Sequence, residues 1–263
     1  MKVGFIGLGN MGSALALAVS KTEGVEVLLS NHNQNQAEKV QAQAGGRILS
    51  NSELVQQADV IFVGVKPHVL FPLLKGLEDR LQHHPSAVWI SMAAGISLEQ
   101  LSQHLPASQI VRIMPNTPVA IGQGMTTYAL INPELAAVTE QLLSKSGQVK
   151  QVEEKLMDTA TALAGCGPAF VYQWIEAMMD AGVAHGLTAD DAKYLAAQTL
   201  LGSAQMVLNS SKHPAQLRQE VTSPGGSTIA GVVKLEKEGL RYAILSAVKA
   251  AIKRTKELGR KTK

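Results

Sequence analysis

The 263 residues carry 24 basic and 21 acidic side chains, a net charge of +3 scattered along the chain, and 46% of them are apolar. This composition can bury one large core or two modest ones and lacks a basic patch, so a folded globular protein with no nucleic-acid partner is expected. The single cysteine, Cys166, excludes an intramolecular disulfide framework, and neither a signal-peptide pattern nor an apolar run of membrane-spanning length occurs, so a cytoplasmic protein without membrane association is expected.

Val3 to Ile6 predicts the first strand, and Gly7-Leu8-Gly9-Asn10-Met11-Gly12 follows it and opens a helix. That context makes the three glycines a dinucleotide fingerprint. The first permits the tight turn, the second lets the backbone approach a pyrophosphate, and the third allows close packing of helix on strand. Free amides at the helix start then bind the phosphates.

Val25 to Leu29 predicts the next strand, which ends in Ser30-Asn31-His32-Asn33. An NAD enzyme places a carboxylate here on the ribose hydroxyls. Its absence, with several hydrogen-bond donors in its place, favours NADPH, although NADH remains usable.

Val60 to Val65 predicts a strand leading into Lys66-Pro67, and Val88 to Ser91 predicts one leading into Met92-Ala93-Ala94-Gly95. Both would end at the carboxyl edge where doubly wound sheets bind ligands, and the small residues leave room for a nicotinamide ribose. Lys66, just before a proline, reads as a phosphate, ribose or surface contact rather than a general acid. Ile110 to Met114 is a further strand, and the segment from Gly124 to Ile131, Pro133 to Ser146 and Gln148 to Val152 adds a strand, a helix and a strand. The alternation predicts an α/β fold with a Rossmann-type, doubly wound, largely parallel sheet over residues 1–153.

From residue 154 to 263 the pattern is helical, with apolar residues recurring at about 3.6 per turn, so a second, all-helical domain is expected. Phe170, Trp174 and Met178 form one row and Val171, Ile175, Met179 and Val183 the next; these read as packing surface. The helix from Asp191 to Asn209 is apolar almost all round, and the last helix repeats Leu240, Ile244, Val248 and Ile252. So small a domain cannot cover such helices alone, which predicts a homodimer. Lys253 to Lys263 reads as a solvated helix end.

Within the helical half, Ser223-Pro224-Gly225-Gly226-Ser227-Thr228 is a turn running into a helix, and no acidic side chain follows Glu220 in that segment. Accessible amides at a helix N-terminus form an anion site that suits a substrate carboxylate. The seven histidines show no metal-ligand spacing, so no metal is expected. Cys166, in Ala164-Gly165-Cys166-Gly167-Pro168-Ala169, has no basic neighbour to form a thiolate and reads as a buried small residue.

The chain resembles the pyrroline-5-carboxylate reductases over almost its whole length. The motifs that carry the resemblance are Gly7-x-Gly9-x-x-Gly12, Val65-Lys66-Pro67, Ala93-Ala94-Gly95, Arg112-x-Met114-Pro115-Asn116-Thr117-Pro118, Gly165-x-Gly167-Pro168-Ala169 and Thr222-Ser223-Pro224-Gly225-Gly226-Ser227-Thr228, in that order. The last is the family's signature; the first is shared by many dehydrogenases. The resemblance implies NAD(P)H-linked reduction of a cyclic imine to L-proline, the final step of proline biosynthesis. It also implies a homodimer interlocked through the helical domain, in many members assembled further into decamers.

The residues so implied for the cofactor are Ile6, Gly7, Leu8, Gly9, Asn10, Met11, Gly12, Ser30, Asn31, Asn51, Val65, Lys66, Pro67, Ala93, Ala94, Gly95 and Asn116. Those implied for the substrate are Gly225, Gly226, Ser227 and Thr228, with Thr228 as the catalytic contact to the ring nitrogen and the amides of Gly226, Ser227 and Thr228 on the carboxylate. Ser227 stands where many relatives carry Thr or Ala, and His32 where bacterial relatives frequently place Arg. A β-hydroxyacid dehydrogenase would need a Lys and an Asn after its glycine motif, and Phe170-Val171-Tyr172-Gln173-Trp174-Ile175 supplies neither. A non-catalytic NADP-binding protein would not need the anion-binding loop.

Overall fold

The computed structural model of the chain describes residues 1–260. The strands are β1 (Lys2–Ile6), β2 (Glu26–Ser30), β3 (Arg47–Ile48), β4 (Val60–Val63), β5 (Val88–Ser91), β6 (Ile110–Met114), β7 (Gly124–Leu130) and β8 (Gly147–Gln151). The helices are α1 (Asn10–Val19), α2 (Gln34–Ala44), α3 (Asn51–Gln57), α4 (Pro67–Gly76), α5 (Glu78–His83), α6 (Leu98–Leu101), α7 (Leu135–Leu143), α8 (Met157–Ala160), α9 (Gly167–Ala184), α10 (Ala189–Leu208), α11 (Pro214–Glu220), α12 (Ser227–Lys237) and α13 (Leu240–Arg260).

All eight strands form one sheet in the order β3-β2-β1-β4-β5-β6-β7-β8. The order reverses between β1 and β4, which creates the crevice where open α/β sheets bind ligands. Successive strand residues face opposite sides. In β4, Ile61 and Val63 join one core with Leu54, Leu70, Leu74 and Trp89. Val60 and Phe62 join the other with Leu15, Val40, Tyr128 and Leu142. Helices thus cover both faces, and the strands read as unbroken apolar runs for that reason.

Two details depart from the sequence pattern. β3 is two residues long, too short to register as a periodic run. The pair β6 and β7 is antiparallel, unlike every other pairing in the sheet. Only a short 3₁₀ turn, Thr117–Ile121, lies between them, and a parallel pairing needs a crossover connection of a dozen or more residues.

The chain divides by contacts into two compact units, residues 1–168 with the chain from Ala250 onward, and residues 169–249. The strand signal stops near residue 153, yet the stretch to Pro168 stays with the sheet. Met157 is buried in the sheet's core, and polar ties add to this: Arg112 on β6 bonds Glu154 at 2.8 Å and Asp158 at 3.2 Å. The side chain of Asn116 donates to the carbonyl of Ala164 at 3.1 Å and accepts from the amide of Met125 at 2.8 Å.

In the second unit α9 and α12 have no fully buried residue, and α10 buries only Ala192 and Ala196. Phe170, Trp174 and Met178 line an open apolar groove of about 550 Å³ with Leu235, Leu240 and Ile244, while Val171, Tyr172 and Val183 are exposed. Among the described residues no helix is long and apolar enough to cross a membrane, and no group of three His, Cys, Asp or Glu side chains could hold a metal ion. Lys261, Lys263 and the intervening residue of the basic C-terminal stretch lie outside the described residues.

Candidate functional site

Gly7 takes φ +92 between β1 and α1, a left-handed backbone that only glycine adopts without strain. A methyl group on Gly12 would stand 2.1 Å from the Gly7 carbonyl oxygen, so the third glycine is fixed by the packing of α1 on β1. Gly9 has open space around it and caps α1 without any side-chain bond, and no acidic residue occupies the first turn. The start of α1 is therefore an uncapped, unopposed set of amides, the chemistry that receives a pyrophosphate. That cradle fits a dinucleotide.

Around it lies a cleft of about 360 Å³ at the carboxyl ends of β1, β4, β5 and β6. Of the residues expected from sequence, Gly9, Asn10, Met11, Gly12, Val65, Lys66, Pro67 and Ala94 line it. Gly64, Met92, Met114 and Pro115 line it too, although they were not among the residues expected to touch the cofactor. Lys66 is exposed and makes no cap bond at the start of α4, which Pro67 opens.

Other expected residues support the cleft from behind. Ile6, Leu8 and Ala93 are at most 2% exposed and belong to the core. Their side chains are directed into packing rather than toward the cleft. The Ile6 carbonyl receives the Gly64 amide at 2.8 Å, which holds β4's exit against β1. Asn116 commits its carbonyl oxygen and one amide hydrogen to the protein, so its side chain shapes the wall after β6.

At the end of β2 the Ser30 hydroxyl donates to Asn51 Oδ1 at 2.7 Å, and Asn31 Oδ1 accepts from the Leu8 amide at 3.0 Å. Asn31 also donates to the Asn33 carbonyl at 3.1 Å, and Asn33 caps α2 by accepting from the Gln36 amide. The donors expected to meet a ligand are thus partly engaged with one another, and His32 and Asn33 are the exposed members. Asn51 opens α3, whose N-terminus is fixed by a reciprocal capping pair of Ser50 and Glu53. The Ser50 hydroxyl and amide hold the Glu53 carboxyl below the ordinary glutamate range. No carboxylate occupies the end of β2 or the first turn of α2.

In the helical unit the turn before α12 has Gly225 at φ +69, with nothing near its α-carbon that an added methyl would strike. Its glycine requirement is conformational rather than steric. Steric constraint falls on Gly226 instead: a methyl there would lie 2.4 Å from Ser223 Oγ. The Gly226 amide donates to the Ser223 carbonyl at 3.1 Å. It is therefore not free for an anion, which corrects the expectation that three consecutive amides are available. Ser227 and Thr228, both exposed, remain at the N-terminus of a helix with no side-chain cap and no acid in its first turn. Cys166 is half-exposed rather than buried, at the end of the π-helical turn Thr161–Gly165.

A family model described as pyrroline-5-carboxylate reductase dimerisation matches residues 154–258, and one described as NADP oxidoreductase, coenzyme F420-dependent, matches residues 2–95. The chain is 39% identical to a pyrroline-5-carboxylate reductase of Synechocystis sp. over 99% of both chains. It is 38% identical to one from Arabidopsis thaliana, over 98% of this chain and 95% of that one. Among solved structures, the Plasmodium falciparum pyrroline carboxylate reductase with NADP bound aligns with a TM-score of 0.87 at 33% identity, covering 98% of each chain. With a dimerisation region, a dinucleotide cradle and full-length similarity in one chain, this protein belongs to the pyrroline-5-carboxylate reductase family.

Proposed function

We propose that this protein reduces 1-pyrroline-5-carboxylate to L-proline, the final step of proline biosynthesis, with NADPH as the preferred cofactor and NADH as a weaker one. The observation that carries the reading is the pair of uncapped helix starts in one chain, α1 behind its glycine cradle and α12 behind Gly225 and Gly226. One suits a pyrophosphate and the other a carboxylate.

The bound cofactor would supply a hydride. The chain's own work is to bind, orient and exclude water. The amides at the start of α1 hold the pyrophosphate, and the apolar walls at Met92 and Met114 keep water from the reacting face. The amides of Ser227 and Thr228 receive the substrate carboxylate, and the Thr228 hydroxyl, which has no partner among the described residues, bonds the ring nitrogen. A protonated imine is already electrophilic. With a hydride supplied to its carbon, the C=N π pair would move to nitrogen and the resulting amine would take a proton from solvent, so the chain's residues need only position the imine and no dedicated acid is required. The end of β2 carries no carboxylate to repel a 2′-phosphate, which supports NADPH.

The apolar groove and bare faces of α9, α10 and α12 support a homodimer through the helical unit. Further assembly of dimers into decamers, and a cytoplasmic location, complete the proposal. Following NADPH oxidation with the imine, against 2-oxo and 3-oxo acids as comparison, tests the activity; preferential turnover of an oxo acid would overturn it. Light scattering at micromolar concentration tests the assembly, and a monomer would contradict it.

A further inference from the structure

Gly259 lies in the last turn of α13, where alanine is the better helix former. A methyl group there would stand 2.2 Å from the carbonyl oxygen of Gly95. A methyl on Gly95 would in turn stand 2.8 Å from the Gly259 amide nitrogen and 3.0 Å from its α-carbon. The two backbones touch directly, and neither residue has room for a side chain. Thr255, one turn earlier, is 7% exposed, and its carbonyl oxygen lies 3.2 Å from the same position on Gly95.

Gly95 closes the loop that follows β5, at φ +79. Met92 and Ala94 of this loop line the cofactor cleft, whereas Gly95 lines a second, polar cavity of about 330 Å³ together with Lys256 and Gly259. The loop's own hydrogen bonds are long: Ala93 to Ser91 Oγ at 3.3 Å and Ile96 to the Ala93 carbonyl at 3.4 Å. Bonds of that length restrain weakly. The Met92 amide is held to the Val63 carbonyl at 3.1 Å and Ala93 is buried in the core, while Gly95 is constrained by its packing against the end of α13.

We propose that Gly259 is a positioning residue for the cofactor: the terminal turns of α13 set the loop from Met92 to Gly95 and so the nicotinamide side of the cleft. The proposal rests on NADPH being the cofactor. A substitution at Gly259 touches no atom of cofactor or substrate, yet it displaces the Gly95 carbonyl and with it the adjoining Ala94 on the cleft wall.

The test is NADPH titration of the full-length enzyme by nucleotide fluorescence, with steady-state kinetics, for the wild type, Gly259→Ala and a chain ended after Leu258. For Gly259→Ala, the Kd and KM for NADPH should rise by about tenfold, equivalent to about 1.4 kcal/mol. The KM for the imine at saturating NADPH should change by less than about twofold. The shortened chain loses the contact without gaining a clash and should shift the same two constants in the same direction by less; it carries the test if Gly259→Ala does not fold. A lower melting temperature or fewer active molecules, with the NADPH constants unchanged in both variants, would overturn the proposal as a purely structural role. A wild-type enzyme that fails to bind NADPH would remove the cofactor reading and this proposal with it.

Discussion

Arg112 on β6 donates to Glu154 at 2.8 Å across 42 positions of sequence, and it does so from a side chain that is 4% exposed. The same guanidinium reaches Asp158, so one cation holds two carboxylates of the connector that leads toward α9. Removing a buried partner leaves charge uncompensated. Arg112→Met should therefore cost about 3 kcal/mol of unfolding free energy, the low end of the usual range because the carboxylates keep some hydration. Urea denaturation measures it; a loss below about 1 kcal/mol would mean the pair is no better than a surface bridge.

Ser30→Asp places a carboxylate at the end of β2 beside Asn51, whose amide can turn to donate to it. The new charge accepts from ribose hydroxyls and repels a 2′-phosphate. The ratio of kcat/KM for NADPH to that for NADH should fall by about ten- to a hundredfold, the effect of one charged hydrogen bond. An unchanged ratio would remove the end of β2 from cofactor choice.

The two glycines of the substrate turn should respond differently. Gly226→Ala places a methyl 2.4 Å from Ser223 Oγ, so that hydroxyl must turn away, and 3.3 Å from the Ser223 carbonyl oxygen, which tightens the turn before α12. Its KM for the imine should rise with kcat falling. Gly225→Ala meets no atom but must adopt φ +69, so its loss should show mainly as about 1–2 kcal/mol of stability. Equal kinetic damage from both would contradict the separation of strain from contact.

Thr228→Ala should fold and bind NADPH as the wild type does, because the hydroxyl is exposed and bonds no described residue. The specificity constant for the imine should fall between a few-fold and about a hundredfold, as expected for one lost hydrogen bond to a neutral or charged group. Full activity with weakened NADPH binding would instead assign this loop to the cofactor.

Strands that alternate between two cores and a glycine turn that reads the same in any chain were legible in the sequence. So was the apolar excess of α9 and α10, since periodicity survives without knowledge of the partner. What stayed hidden was non-local. Nothing near Arg112 announces Glu154, and the assignment of residues 154–168 to the sheet follows from those bonds and the burial of Met157 rather than from composition. The roles of Ile6, Leu8 and Ala93 as supports, the engagement of the Gly226 amide and the half-exposure of Cys166 each depend on where a backbone turns. A pattern of residue types does not record that.

The central claim is hydride transfer to a cyclic imine, and the fate of a label tests it most directly. With NADPH carrying deuterium at the transferred position and 1-pyrroline-5-carboxylate as acceptor, NMR of the product should show one deuterium on the δ-carbon of proline for each NADPH consumed. NADPH oxidation without labelled proline, or label appearing in a hydroxy acid from an oxo-acid acceptor but not in proline, would contradict the account.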